Sequence, residues 1–321
     1  MTDWKPGATI KTLRQRADLI KQIRAFFEKR NVLEVETPSI SRFPAVDLHL
    51  DSFSVKAAFD SRTSYLITSP EYHMKRLLAA GSGSIFQICK AFRSDESGSR
   101  HNPEFTILEW YRKGWDHWQL MKEIDCLLQD ILKSAPATYL SYKDAFKNHL
   151  DIDPLAFSMK DFETVCSRKK SAPPADLLRP NADRDEQLNY LMGTFIEPEL
   201  GKESPLFLHD YPASQANLAK LYEDKTGYAM RFEVYYRGTE LGNGFCELTD
   251  PETQQQRFEE ENRARLAMGK EELAIDRNFL DALKAGMPEC AGVAMGVDRM
   301  LMLALGIENL DGIVAFSWPR A

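Results

Sequence analysis

Leu13, Ala17, Ile20, Ile23 and Phe27 recur at helical spacing and predict an amphipathic helix over residues 12–30. Asn31 stops it, and Val32-Leu33-Glu34-Val35 reads as a short strand broken by Pro38. Strands are expected near 50–56 and 64–68. Thr68-Ser69-Pro70-Glu71 puts Pro and Glu in the first turn of a helix that runs to Ala80 and is closed by Gly81. An apolar strand from Ile85 to Cys89 leads into a polar loop, and a return strand runs from Glu104 to Tyr111. Trp118, Met121, Ile124, Leu127, Leu128 and Ile131 mark a second long helix. From 134 to 205 the pattern weakens, and Ser171-Ala172-Pro173-Pro174 reads as a surface excursion within an insertion. Strong patterning resumes at Phe207. Motifs that carry chemistry stand on both sides of the weak stretch, which argues for one interrupted domain over 1–321. The strands show no β-α-β rhythm, so the expected fold is α+β, an antiparallel sheet flanked by helices.

Composition narrows the class of protein. A net charge of −7 disfavours sequence-independent binding to nucleic acid backbones. No apolar run reaches the roughly 18 residues that span a membrane, and the start MTDWKPGATIK lacks the apolar centre of a secretory signal. Cys89, Cys126, Cys166, Cys246 and Cys290 are scattered without C-x-x-C spacing, as reduced thiols of a cytoplasmic protein would be.

Three stretches carry candidate chemistry. The first is Phe92 to Phe105 (FRSDESGSRHNPEF), in which Arg93 ends a strand and faces a loop holding Arg100 and His101. Arginine suits bidentate phosphate contact and a nearby Phe offers a flat face for a base, although a solvated hairpin would show the same spacing. The second is Met230 to Leu248 (MRFEVYYRGTELGNGFCEL). With the turn at Gly238-Thr239, Arg237 pairs with Glu240, and Glu233, Tyr235, Arg237 and Glu240 line one face. Glu247 has the wrong parity to join them, and a bulge within Gly242-Asn243-Gly244 would correct the phase. Carboxylates gathered in this way either face water or hold a cation, for which Mg²⁺ bridging substrate phosphates is the usual solution. The third is Gly292 to Arg299 (GVAMGVDR), which leads into an apolar, buried helix. Small residues at 292, 294 and 296 let another group approach the backbone, and Arg299 needs an anionic partner, either an internal carboxylate or a ligand phosphate.

In this order the three stretches resemble class II aminoacyl-tRNA synthetases, and specifically the catalytic core of lysyl-tRNA synthetases. Leu33 to Ile40 (LEVETPSI) resembles the first class II motif, whose proline, here Pro38, lies at the family's dimer interface; 92–105 and 292–299 resemble the second and third motifs. Ser69-Pro70-Glu71 and Glu240 to Glu247 (ELGNGFCE) are similar to the lysine-specific segments. The resemblance covers nearly the whole chain and implies a homodimer, ATP and Mg²⁺. It implies that Arg93 holds the α-phosphate and Arg299 the γ-phosphate of ATP. Phe105 would stack on adenine, with Ser94, Asp95, His101, Asn102, Leu241 and Gly296 completing the nucleotide site. Glu233 and Glu240 would hold Mg²⁺. Glu71, beside Ser69 and Pro70, would meet the α-amino group of the amino acid, and Glu247 with Tyr111 the side-chain ammonium, near Asn243 and Ala294. The reaction implied is attack of a carboxylate on the α-phosphate, giving an aminoacyl adenylate and pyrophosphate.

The chain departs from the lysyl-tRNA synthetase pattern in two residues. Asp95 stands where the family motif has Glu, with Glu96 next to it as a second carboxylate. Ala294 stands where the pattern has Gly; one added methyl at a tight site disfavours one substrate isomer by about 1 kcal/mol or more. Lysyl-tRNA synthetases also carry an N-terminal OB-fold that reads the anticodon, and none fits ahead of residue 12. With Ala294, this points to resemblance with the elongation factor P lysine ligases, which activate (R)-β-lysine and attach it to a lysine of translation elongation factor P. The expectation is therefore a ligase acting on elongation factor P with lysine or β-lysine as its small substrate, without membrane or tRNA partners. The alternatives are a tRNA-charging enzyme, an amidating ligase, and an inactive regulatory paralogue. A paralogue of that kind would be expected to lack Arg93, Arg299, Glu240 or Glu247, all of which are present.

Overall fold

In the computed structural model, which describes residues 4–321, the first helix begins where Thr9 accepts the Thr12 amide at 3.1 Å and ends before Asn31, which turns through a left-handed conformation (φ 52°). In chain order the elements are α1 (Ile10–Glu28), β1 (Leu33–Glu34), β2 (Ile40–Ser41), β3 (Ser54–Lys56), β4 (Thr63–Leu66), α2 (Glu71–Ala79), β5 (Ile85–Phe92), β6 (Glu104–Lys113) and α3 (His117–Leu132). They continue with β7 (Thr138–Ser141), α4 (Tyr142–Leu150), α5 (Met159–Lys169), α6 (Arg184–Leu191), β8 (Leu206–Pro212), β9 (Tyr228–Tyr236) and β10 (Thr239–Cys246). The last are α7 (Pro251–Ala267), α8 (Arg277–Gly286), β11 (Cys290–Gly296) and α9 (Val297–Leu305). Among the described residues no helix is long and apolar enough to cross a membrane.

The chain forms two compact units. One comprises residues up to Asp116, Asp130–Leu132 and Glu247–Ala321; the other comprises His117–Gln129 and Lys133–Cys246. In the first, strands run in the order β1-β5-β6-β11, antiparallel except for β1 beside β5. A small antiparallel sheet, β2-β4-β3, accompanies them. Strand alternation gives β5, β6 and β11 two unlike faces. Phe86, Leu108, Trp110, Val293 and Met295 make a buried apolar face, and Phe27 of α1 stacks on Phe86 with ring centres 4.5 Å apart. The opposite face carries Gln87, Phe105, Glu109, Tyr111, Gly292, Ala294 and Gly296. It is the polar, small-residue face on which chemistry can be placed.

The second unit orders its strands β10-β9-β8-β7, with β7 and β8 parallel. The stretch 134–205, where the sequence pattern weakens, is built around a core that it shares with β8 and β9. Tyr142, Phe146, Phe162, Leu188 and Leu191 are buried together with Leu208 and Tyr235. The periodic signal is weak because α4, α5 and α6 are 9, 11 and 8 residues long, too short for a recurring stripe to stand out. Caps define these helices better than periodicity does: Ser141 on α4, a Ser158/Asp161 capping box on α5, and Asp183 on α6.

In the first unit, one buried ion pair joins three elements. Asp298, at the start of α9, pairs with Arg16 of α1 and accepts the Thr106 amide of β6 at 2.8 Å. Asp298→Ala strands the Arg16 charge and the Thr106 amide, so an expected 3–5 kcal/mol of stability is lost, to order of magnitude. The urea midpoint should fall accordingly; a loss of less than about 1 kcal/mol would show that the pair is dispensable.

Candidate active site

One candidate cluster, in the first unit, gathers Glu71, Glu109 and Glu247 around Lys75. Pro70 occupies the cap position of α2, and Ser69 Oγ accepts the Glu71 amide at 3.0 Å. The same hydroxyl donates to Glu109 Oε2 at 2.9 Å, while Tyr111 OH donates to Glu109 Oε1 at 2.7 Å. One helical turn beyond Glu71, Lys75 is 0 % exposed, and its Nζ lies 2.6 Å from Glu71 Oε1 and 2.6 Å from Glu247 Oε2. The contact to Glu247 is an ion pair by distance without the alignment of a hydrogen bond. Gly292 closes one side: a Cβ there would collide with the Glu247 carboxylate and the Tyr111 ring. Ala294 stands directly across from Glu109 on the neighbouring strand.

Burial, reinforced by Glu71, pushes the Glu109 carboxyl up to about 8, against the pull of its two hydroxyl donors and Lys75. Burial also pushes Glu247 up to about 7, opposed by Lys75 and assisted by Glu71. Burial works to lower the Lys75 pKa, but Glu247 and Glu71 outweigh it and raise it, so the ammonium stays charged. Burial and the surrounding carboxylates raise the Tyr111 pKa, keeping its hydroxyl a donor. Glu71, Glu109 and Glu247 against one Lys75 leave the cluster two positive charges short when all three are ionised. A ligand carrying two ammonium groups closes that gap.

The sequence reading did not single out Lys75 or Glu109. Both were visible: Glu109 interrupts the apolar run Ile107-Leu108-Glu109-Trp110, and Lys75 sits on the α2 stripe of Met74 and Leu78. A charge on an apolar stripe signals a paired, buried group.

The residues expected at a nucleotide lie at the β5–β6 loop and the start of α9. Arg93 Nη1 donates to Glu96 Oε1 at 2.8 Å, and the guanidinium lies 5.0 Å from the Phe105 ring centre. Its Nε is buried without a hydrogen-bond partner. That orphaned cationic donor beside an aromatic ring fits a nucleotide phosphate and base. Arg299 is half-buried, and its Nη2 donates to His101 Nε2 at 2.8 Å. Burial, then Arg299, lowers the His101 pKa, which keeps the ring neutral and accepting. Asp95 is exposed and accepts Ser94 Oγ at 3.1 Å. Asn102 is buried, donating to Glu104 O at 2.7 Å and accepting the Trp318 amide at 2.8 Å, so its amide braces main chain on both sides. Gly296 caps α9, and a Cβ there would meet only the Arg299 stem at ordinary contact distance. Of the small residues 292, 294 and 296, Gly292 is therefore the sterically sealed one.

The carboxylate hairpin belongs to the second unit, and its turn differs from expectation. Arg237 and Gly238 are the turn residues, both left-handed (φ 51° and 65°), so Thr239 pairs with Tyr236 and Glu240 with Tyr235. Arg237 is thereby removed from the carboxylate face. The cause is tertiary: the Arg237 amide bonds Gly201 O at 2.8 Å and the Gly238 amide Leu200 O at 2.9 Å, which clamps the turn. The register shift falls between Glu240 and Gly242, one residue before the glycine run, and sets Asn243 opposite Glu233. Leu241, the extra residue, is buried. Glu233 pairs with Arg231 at 2.6 Å and also accepts Tyr235 OH, and Arg231 Nε donates to Asn243 Oδ1 at 3.3 Å. Glu240 and Glu233 share a face, but Glu233 already has a cation. Among the described residues no group of three or more His, Cys, Asp or Glu could hold a metal unaided. One or two carboxylates completed by phosphate and water is the usual Mg²⁺ arrangement, and Glu240 fits it.

A mostly antiparallel strand set with an acidic cluster, an arginine-bearing strand–loop–strand and a strand–helix turn ending in arginine is the arrangement expected of a class II synthetase catalytic core. Residues 2–320 match the family model of class II tRNA synthetases (D, K and N), and the chain belongs to that family. More particularly, it is 48 % identical over 322 aligned positions to the "Elongation factor P--(R)-beta-lysine ligase" of Vibrio atlanticus, covering 99 % of both chains. It is 49 % identical to the proteins of the same name from Salmonella gallinarum and Salmonella arizonae, over 99 % of this chain and 98 % of theirs.

Two outcomes test this pocket. Burial holds Glu247 and Glu109 up at about 7 and about 8, and a diammonium ligand favours them ionised, so affinity for a diamino acid should rise from about pH 6 to about pH 8.5. Titration calorimetry reads this directly, and a flat profile would count against the assignment. Gly292→Ala should weaken diamino-acid binding at least about tenfold while leaving ATP binding unchanged; equal loss of both would mean general disruption.

Proposed function

We propose that this chain activates (R)-β-lysine with ATP as an aminoacyl adenylate and transfers the acyl group to a lysine side chain of elongation factor P. The observation that carries the reading is the cluster of buried Glu109 and Glu247 and partly exposed Glu71 around the buried ammonium of Lys75. It calls for an amino acid with two ammonium groups. The names of the relatives, matched over almost their whole length, support β-lysine and elongation factor P as that substrate and acceptor.

In this reading Glu71 receives the amino group nearer the carboxylate, and Glu247 with Tyr111 receives the distal ammonium. The substrate carboxylate attacks the α-phosphorus of ATP, and pyrophosphate leaves. Arg93 neutralises charge at the α-phosphate and Arg299 at the phosphate tail, while Phe105 supports the adenine. Mg²⁺, assigned to Glu240, would supply further charge neutralisation. The acceptor amine then attacks the acyl carbon, forming an amide and releasing AMP. No protein nucleophile is needed, so catalysis is positioning and electrostatics. We assign the protein to the cytoplasm, in keeping with its free thiols, and to a homodimer, for which exposed Leu33 and Ile40 flanking Pro38 provide apolar surface.

The test combines purified protein, ATP, (R)-β-lysine and elongation factor P. Labelling of the factor is expected; labelling of tRNA alone would overturn the acceptor assignment. Arg93→Ala and Arg299→Ala should each lower β-lysine-dependent pyrophosphate exchange by about a hundredfold or more, with β-lysine binding retained.

A further inference from the structure

Lys75 enters none of the chemical steps above, yet it is the most deeply committed charge in the pocket. It is wholly buried, and its ammonium is shared by the two carboxylates that receive opposite ends of the substrate. Since both oxygens lie 2.6 Å from Nζ, Glu71 Oε1 and Glu247 Oε2 stand within twice that distance of each other. Unaided, two carboxylates this close, one buried and one partly exposed, would repel and separate. Glu71 lies in the first turn of α2 and Glu247 follows the end of β10, so the two carboxylates come from elements far apart in sequence. The shared ammonium is what connects them, and the aromatic wall behind it resists drift: Nζ lies 5.9 Å from the centre of the Phe279 ring.

We infer that Lys75 is a positioning residue that sets the nitrogen-to-nitrogen distance of the diamino acid the site accepts. The inference rests on the function proposed above and deepens it. In lysine five carbons separate the two nitrogens; in β-lysine four do, with the carboxylate moved one carbon further out. Carboxylates drawn together by a common internal cation favour the shorter spacing. Selection between isomers is then divided between two places. Lys75 sets the amine gap through Glu71 and Glu247, while Ala294, across from Glu109, adds its methyl to the wall. When substrate is bound, its two ammonium groups and Lys75 balance Glu71, Glu109 and Glu247.

Simple diamines isolate the amine gap from the carboxylate. Putrescine has four carbons between its nitrogens and cadaverine five. In titration calorimetry on the unaltered protein, putrescine should bind about tenfold more tightly than cadaverine, the scale of one methylene at a fitted site. In Lys75→Met that preference should fall below about threefold, and the ratio of pyrophosphate exchange with β-lysine to that with lysine should fall in parallel. A merely structural role would lower all affinities together and leave the ratios unchanged. Should Lys75→Met fail to fold, the diamine pair on the unaltered protein still decides. Equal diamine affinities, failure of either diamine to bind, or a preference that survives Lys75→Met overturns the inference while leaving β-lysine activation standing. Loss of the parent reading is distinct: the unaltered protein would then show no β-lysine-dependent exchange at all.

Discussion

Three carboxylates gathered around one buried ammonium form the constraint on which the rest of this site depends. Each of Glu71, Glu109 and Glu247 costs free energy to remove from water, and Lys75 with the hydroxyls of Ser69 and Tyr111 offsets only part of it. Ionising all three would leave negative charge uncompensated, and burial accordingly holds the Glu109 and Glu247 carboxyls up, at about 8 and about 7. In the proposed reading this is chemically useful, since a ligand with two ammonium groups would favour the ionised carboxylates and a neutral or acidic amino acid would not. Specificity here arises from leaving a polar site incomplete.

The fold makes such a cluster tolerable by separating two tasks across one layer of backbone. Alternate residues of β5, β6 and β11 face the apolar core around Phe27, Phe86 and Trp110, and the intervening residues form the reactive face. Glu109 can be held buried because Leu108 and Trp110 on either side of it anchor the strand. Arg93 and Arg299 follow a related pattern, each standing just where a regular element ends or begins. There, side chains extend beyond the sheet without interrupting its ladder.

Much of this was legible from residue patterns. The amphipathic α1, the Pro70 start of α2, the β5–loop–β6 unit and α3 all follow from spacing and capping, because each is determined by neighbours within a few residues. The ordered motifs likewise identified Arg93, Arg299, Glu71 and Glu247 as candidates. Less legible were α4, α5 and α6, whose short lengths dilute periodicity. The hairpin turn was misplaced by one residue, since Gly238-Thr239 and Arg237-Gly238 differ little in local preference. Backbone contacts to Leu200 and Gly201 decide between them.

The sequence by itself determined the family, the elements and the chemical character of the site, because those depend on residue type and on spacing over a turn or a strand. Only the tertiary structure decided which charges share a partner. Nothing in the chain order connects Lys75 with Glu247, or Asn102 with the Trp318 amide. Nor does it reveal that Arg93 keeps an unmet donor while Glu233 is already paired with Arg231. Ion pairing and burial depend on distances between segments remote in sequence, and those distances exist only once the core has closed.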